Sequence, residues 1–102
     1  MPLILMNSMT QNKKERADQI QNSIRKIFLC EWDPIRIKDE PNAQDEYDGY
    51  TGGLYRILAN EGTTDEIVDY LYKIETERMG FSVNREDLIP VANKLKRIDV
   101  KL

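Results

Sequence analysis

Histidine is absent from this chain of 102 residues, and Cys30 is the only cysteine. Histidine is the commonest general base and metal ligand near neutral pH, so its absence removes the usual means of acid–base and metal chemistry. A lone cysteine cannot form an internal disulfide, and zinc sites need clusters of Cys or His. The sequence is therefore compatible with a reducing cytosol. We expect a cytoplasmic protein without metal or cofactor, in which Cys30 is a packing residue or a bystander.

Long apolar runs and glycine loops that cradle phosphate are also missing. The opening segment MPLILM is apolar, but it is too short for a secretory signal or a membrane span. We expect residues 1–9 to form a flexible or loosely packed arm on a single domain of residues 1–102. The composition, 40% hydrophobic and 32% charged, is typical of one soluble globular domain.

Positive and negative charges are unevenly distributed along the chain, whose net charge is −3. Residues 1–30 carry +3, residues 31–80 carry five basic and thirteen acidic groups, and residues 81–102 carry +2. An acidic surface disfavours nucleic acid as a partner and favours a basic protein through electrostatic steering. The alternative is that the acidic residues only form a solvated surface that keeps a small protein soluble.

Apolar residues recur at spacings of three and four, which predicts an all-α domain. We expect a compact array of four helices with short connections, near residues 11–31, 43–60, 64–79 and 85–99. The residues expected in its core are Ile20, Ile24, Ile27, Leu54, Ile57, Ile67, Leu71, Ile74, Leu88, Val91 and Leu95.

Residues that favour helix ends support these bounds. The predicted N-caps are Thr10, Asn42, Thr63 and Asn84. Glu66 follows Thr63 by three residues and completes a capping-box pattern, while Gly80 is placed to end the third helix. The pair Asp33-Pro34 should end the first helix, because a residue before proline disfavours helical geometry.

Two features disagree with regular helices. Gly52 and Gly53 lie inside the second helix, where each costs roughly 1 kcal/mol relative to alanine. They predict either a kink or split near Thr51, or close packing against another backbone. Pro90 lies inside the fourth helix and should make its first turn irregular or kinked.

The segment 31–55 is the most distinctive part of the chain, since it holds the only Trp and three of the five Tyr. Trp32 and Tyr47 fit core positions better than ligand contacts. An EF-hand is excluded, because Gln44 and Tyr55 would occupy the first and last ligand positions. Acid–base catalysis is disfavoured, because Asp45 and Glu46 fit the first turn of a helix, where their charges complement the helix dipole. We therefore expect no enzymatic activity.

Five short elements carry a resemblance: WDPI at 32–35, DEYDxY at 45–50, LYxxL at 54–58, EIxxYLxxIE at 66–75, and MG at 79–80. Together they resemble a group of small bacterial all-helical proteins, over about residues 20–98. Some such proteins are encoded beside toxins and act as immunity proteins in contact-dependent growth inhibition. The group shares no catalytic motif, and the two adjacent glycines depart from the helix formers expected there.

The resemblance and the acidic segment lead to one functional expectation. We expect a non-catalytic protein-binding module, an immunity protein that covers the basic active site of a cognate toxin nuclease with an acidic face. The residues predicted to bind the partner are Asp39, Glu40, Asp45, Glu46, Tyr47, Asp48 and Tyr50. A second possible face lies on the third helix, through Asp65, Asp69 and Glu77. The alternative function is a small cytosolic scaffold or regulatory protein.

Overall fold

The computed structural model describes the backbone of residues 2–102 and the side chains from Asn12 onward. Within these residues the chain forms four α-helices and no strand. The helices are α1 (Pro2–Ile27), α2 (Asp48–Ala59), α3 (Thr64–Lys73) and α4 (Arg85–Lys96). The predicted all-α array of four helices is confirmed.

Two of the helices end in a turn of wider π-helix. The first π turn (Phe28–Trp32) continues α1, and the second π turn (Ile74–Arg78) continues α3. A short 3-10 turn (Pro41–Ala43) lies in the connection between the first π turn and α2. Since π turns arise mostly as single insertions in α-helices, they change which side chains face the core.

The first helix begins earlier than predicted. Its first residue is Pro2, so Thr10 lies within α1 and is not its N-cap. Proline is favourable at this position, because its missing N–H would be unpaired in any helix. The side chains of residues 1–11 lie outside the described residues, and the loose packing predicted for residues 1–9 stays a prediction. The predicted end at Asp33-Pro34 is confirmed, because the first π turn stops at Trp32.

The second helix begins later than predicted, at Asp48, and Asn42 is therefore not its N-cap. Residues 42 and 43 instead belong to the 3-10 turn that starts with Pro41. Tertiary hydrogen bonds of Gln44 and Tyr47, described below, hold the chain in turns up to residue 47. These bonds override the local helix signal.

The predicted starts of α3 and α4 agree with the structure, whereas α4 ends at Lys96, before the predicted end near residue 99. The Thr63 hydroxyl accepts a hydrogen bond from the Glu66 N–H at 3.1 Å, which is half of the predicted capping box. Gly80 follows the second π turn with φ +71°, a backbone angle that favours glycine. Asn84 is the N-cap residue of α4 by its backbone geometry, although its side chain makes no capping hydrogen bond.

The core lies where α3 packs on α4 and where α2 and α4 pack on α1. Of the predicted core residues, all but Ile27 and Ile57 are fully buried, and those two pack partly buried against the rest. The buried hydrophobic residues that were not on the expected core list are Phe28, Leu29, Trp32, Tyr47, Leu58, Val68 and Ala92. Burial of Trp32 and Tyr47 confirms the preference for core positions.

Helix α2 is continuous through its glycines, so the split predicted near Thr51 is not observed. A Cβ atom built on Gly53 would lie 2.8 Å from ring atoms of Tyr70, while nothing lies within 4 Å of one built on Gly52. Gly53 is therefore closely packed, but against a side chain, so the predicted packing against another backbone is wrong at this position. Pro90 lies inside α4 without ending it.

None of the described helices is both long enough and apolar enough to cross a membrane.

Candidate functional site

The connection of residues 33–47, here called the acidic loop, is organised by the carboxylate of Asp33. Its Oδ1 accepts hydrogen bonds from the N–H of Ile37 at 2.7 Å and from the Tyr47 hydroxyl at 2.9 Å. Its Oδ2 accepts a hydrogen bond from the N–H of Lys38 at 3.2 Å. Asp33 itself has φ 37°, a left-handed geometry that aspartate tolerates better than most residues. One side chain at the end of the first π turn therefore fixes both the start and the end of the loop.

Tyr47 completes this network from the core. The side chain is 1% exposed, and its hydroxyl also accepts a hydrogen bond from the Ile35 N–H at 3.1 Å. Burial raises the pKa of the Tyr47 phenol well above its ordinary value, and the neighbouring Asp33 raises it further. The phenol thus stays neutral and serves as a fixed donor to Asp33.

Gln44 holds the middle of the acidic loop together. Its side-chain amide donates to the carbonyl oxygens of Ile37, Lys38 and Glu40, at 3.4, 3.1 and 2.8 Å. A loop that satisfies its own carbonyl groups in this way does not need a partner to become ordered. It can therefore present its surface groups in one arrangement.

Four carboxylates of the acidic loop point to solvent. They belong to Asp39, Glu40, Asp45 and Glu46, and each residue is exposed. None of the four takes part in the ion pairs found among side chains from residue 12 onward. Arg36 and Lys38 are exposed on the same loop, so its surface is mixed but mainly acidic.

Three predicted interface residues do not belong to this exposed set. Tyr47 lies in the core and cannot contact a partner in this conformation, which corrects the prediction of Tyr47 as a surface anchor. Asp48 receives two hydrogen bonds from the guanidinium of Arg25 on α1, one of them 2.8 Å long. This bond raises the pKa of Arg25, and the guanidinium offsets the charge of Asp48. Tyr50 is half-buried.

The helix-dipole explanation of the acids at 45 and 46 is also wrong. Asp48 is the acidic residue in the first turn of α2, and Asp45 and Glu46 precede that helix in turns. Their charge therefore does not stabilise a helix end in the way the sequence suggested.

An aromatic cluster joins the acidic loop to the helices. Trp32 is its centre, with ring centroids 5.0 Å from Phe28, 5.5 Å from Tyr47 and 6.4 Å from Tyr50. Such tilted pairs add about 0.5–1.5 kcal/mol beyond the area they bury. The cluster connects the first π turn to both the loop and α2.

The alternative face on α3 is less uniform. Asp69 forms an ion pair with Arg85 of α4, and Asp65 lies in the first turn of α3, where it complements the helix dipole. Glu77 is exposed on the second π turn. Of the three predicted acids, therefore, two already have a structural role.

An open groove of about 460 Å³ lies between α3 and the start of α4. It is lined by Tyr72, Val83, Asn84, Arg85 and Glu86. The Arg85 guanidinium lies 5.5 Å above the Tyr72 ring, so its cationic group is already held by the protein. Phe81 and Ile89 are large apolar residues that are partly exposed elsewhere on the surface.

The described side chains contain no group of three Asp, Glu or Cys residues that could hold a metal ion. Cys30 is exposed at the first π turn, so the predicted packing role is wrong, and the role of a bystander stays a prediction. The groups that organise the site are Asp33 and Gln44, which the sequence did not single out. Only Asp33 carried a signal, since aspartate before proline favours turns through its side chain.

No protein-family model matches this chain, and no curated protein or solved structure shows significant similarity to it.

Proposed function

We propose that this chain is a non-catalytic protein-binding module that neutralises a bacterial toxin in the cytoplasm. In this proposal the acidic loop covers the basic active site of a nuclease toxin. The observation that carries the proposal is a set of four exposed carboxylates that form no ion pair with the side chains from Asn12 onward. They lie on a loop that Asp33, Gln44 and Tyr47 keep in one arrangement.

Electrostatics supports a basic partner. Nucleases are positively charged where they hold nucleic acid, and exposed carboxylates can occupy the positions of phosphates. Such charges raise association rates at low salt more than they raise affinity. The acidic loop is already ordered before it binds, so association costs less conformational entropy.

The resemblance to helical immunity proteins agrees with this proposal but does not carry it. The motif at 32–35 supplies Trp32 and Asp33, which organise the aromatic cluster and the loop. The motif at 45–50 supplies Tyr47 and Asp48, which anchor the loop to the core and to α1. These elements therefore have a structural explanation that is independent of any partner.

The first experiment identifies the partner. The C-terminal domain encoded by the reading frame directly upstream is expressed in bacteria, with and without this protein. We expect growth arrest from that domain alone and recovery when this protein is present. If the upstream product is harmless, the alternative of a small scaffold or regulatory protein gains support.

The second experiment tests the acidic loop against that partner. The double variant Asp45→Lys/Glu46→Lys should associate about tenfold more slowly at low salt, with a smaller difference at high salt. Its melting temperature should stay close to that of the parent, because neither residue caps a helix. Association rates by surface plasmon resonance and melting curves measure both effects.

The matched control is Glu15→Lys/Asp18→Lys. These residues are exposed on α1, and the pair changes the net charge by the same amount. They precede the acidic loop by about four turns of helix, so we expect a much smaller effect on association. Equal effects of the two pairs would indicate general charge attraction. Unchanged binding in the loop variant would instead transfer the interface to α3 and Glu77.

A further inference from the structure

The carboxyl group of Glu75 lies inside the protein. Glu75 is in the second π turn and is 8% exposed, and its Oε2 has no hydrogen-bond partner among the described residues. A buried carboxyl group without a partner is costly when it is charged, because it loses the hydration of its ion. The structure gives Glu75 no cation, since all four ion pairs of the described side chains lie elsewhere.

The neighbours of Glu75 belong to the aromatic cluster. Trp32 is 9% exposed, and its indole Nε1 is likewise buried with no hydrogen bond to the part of the chain that the structure describes. Burial raises the pKa of the Glu75 carboxyl, while the Trp32 indole N–H acts in the opposite direction. Tyr47 is the titratable neighbour on the acidic loop, and the carboxylate raises the pKa of its phenol. On the same turn, Glu77 and Arg78 are exposed.

We propose that Glu75 is a proton-linked switch. With its proton bound, the second π turn packs on Trp32 and Tyr47 as in this structure. Loss of the proton places a charge in the aromatic cluster, and it loosens both this contact and the acidic loop that Tyr47 anchors. No partner enters this proposal, so it does not depend on the proposed function.

The sign of the effect on stability follows from proton linkage. The folded protein retains the Glu75 proton at a pH where the unfolded chain has already lost it. The stabilisation is therefore complete below the unfolded pKa of about 4.3, and it is lost as the pH rises through the raised pKa of the folded state. Asp and Glu residues that are paired in the folded state have the opposite dependence.

Trp32 provides a direct measurement, because it is the only Trp in the chain. We expect the fluorescence of the folded protein to change with pH, with a midpoint above the ordinary value of about 4.3 for glutamate. Glu75→Gln should abolish this transition, whereas Glu77→Gln, the exposed control on the same turn, should keep it. A flat titration of the parent protein, or a transition that persists in Glu75→Gln, would overturn the proposal.

Thermal unfolding gives an independent readout. Glu75→Gln should melt a few degrees above the parent at neutral pH, on the scale of about 4–8 °C per kcal/mol for a domain of this size. The difference should vanish as the pH falls towards about 4. A difference that is the same at every pH would show that Gln only improves packing, and the switch would be excluded.

Amide hydrogen exchange tests the link to the acidic loop. Above the fluorescence midpoint, the amides of Ile35 and Ile37 should exchange faster in the parent than in Glu75→Gln, after correction for intrinsic rates. These amides donate to Tyr47 and Asp33, respectively. Equal protection in both proteins would contradict the proposed effect on the loop.

Discussion

The four helices and the acidic loop are held in place by different kinds of interaction. The helices bury most of one apolar cluster, against which further partly buried apolar side chains pack. The acidic loop has few buried apolar groups and depends on three polar side chains, those of Asp33, Gln44 and Tyr47. Truncation of one buried apolar side chain lowers the stability of the whole fold, whereas loss of one member of a small hydrogen-bond network disturbs the loop locally.

The two regions also control different properties, namely the stability of the fold and the arrangement of the surface carboxylates. Contacts within the helices determine how much of the protein is folded at a given temperature. Bonds of the loop determine how four carboxylates are arranged in the folded protein. A substitution in one region should therefore affect one property much more than the other, and the following predictions test this separation.

The largest effect is expected from Leu71→Ala in α3. Leu71 is 0% exposed, and its truncation should lower the free energy of unfolding by about 2–5 kcal/mol, through lost burial and a residual cavity. Urea unfolding measures the change. Amide hydrogen exchange at Ile37 and Lys38 should become faster only by the amount that the increase in global unfolding explains.

The control for this truncation is Ile89→Ala in α4. Ile89 is 42% exposed, so the free energy of unfolding of Ile89→Ala should lie within about 1 kcal/mol of that of the parent. Loss of loop protection in Leu71→Ala, beyond that due to global unfolding, would contradict the separation of the two regions.

The next largest effect is expected from Asp33→Ala. This change removes the acceptor of three hydrogen bonds and should cost about 2–3 kcal/mol, because hydrogen bonds to charged groups are stronger than neutral ones. Its characteristic result should be local: faster amide exchange at Ile37 and Lys38, with the helices still protected. Asp33→Asn is the matched control, since it keeps an oxygen acceptor and tolerates the left-handed backbone. Uniform loss of protection throughout the chain would instead indicate that Asp33 supports the helices.

The two regions also differ in how far the sequence predicts them. Apolar spacing locates α3 and α4 well, because burial of one helix face is encoded by neighbours three and four residues apart. The start of α2 was missed, because Gln44 and Tyr47 bond to groups up to fourteen residues away. Such bonds leave no periodic pattern. The π turns were missed for a related reason, since an inserted residue changes the helix face without changing composition.

The candidate site was predicted in part. The exposed acids Asp39, Glu40, Asp45 and Glu46 could be named from charge density alone. The pairing of Asp48 with Arg25 could not, because the two residues are 23 positions apart and meet only through the packing of α1 on α2. Burial of Tyr47 was favoured by its helical spacing, yet its actual role as a donor to Asp33 arises from a turn.

The smallest effect is expected from a pair of alanine substitutions in α2, which sharpens the comparison within the helices themselves. A Cβ at residue 53 would contact the ring of Tyr70, whose hydroxyl donates to the Tyr50 carbonyl at 2.7 Å. Gly53→Ala must displace this ring. We expect a net loss of about 1 kcal/mol, since overpacking costs more than the gain in helix propensity.

Gly52→Ala is the matched control, because it lies in the same helix with nothing within 4 Å of the added carbon. Alanine is favoured over glycine in a helix, so this variant should gain about 0.5–1 kcal/mol. The two melting temperatures should therefore move in opposite directions from that of the parent. If both variants are stabilised, Tyr70 moves without cost, and the contact between α2 and α3 at Gly53 is looser than its geometry indicates. If both are destabilised, the cost lies in the helix itself and not in the close approach of Tyr70.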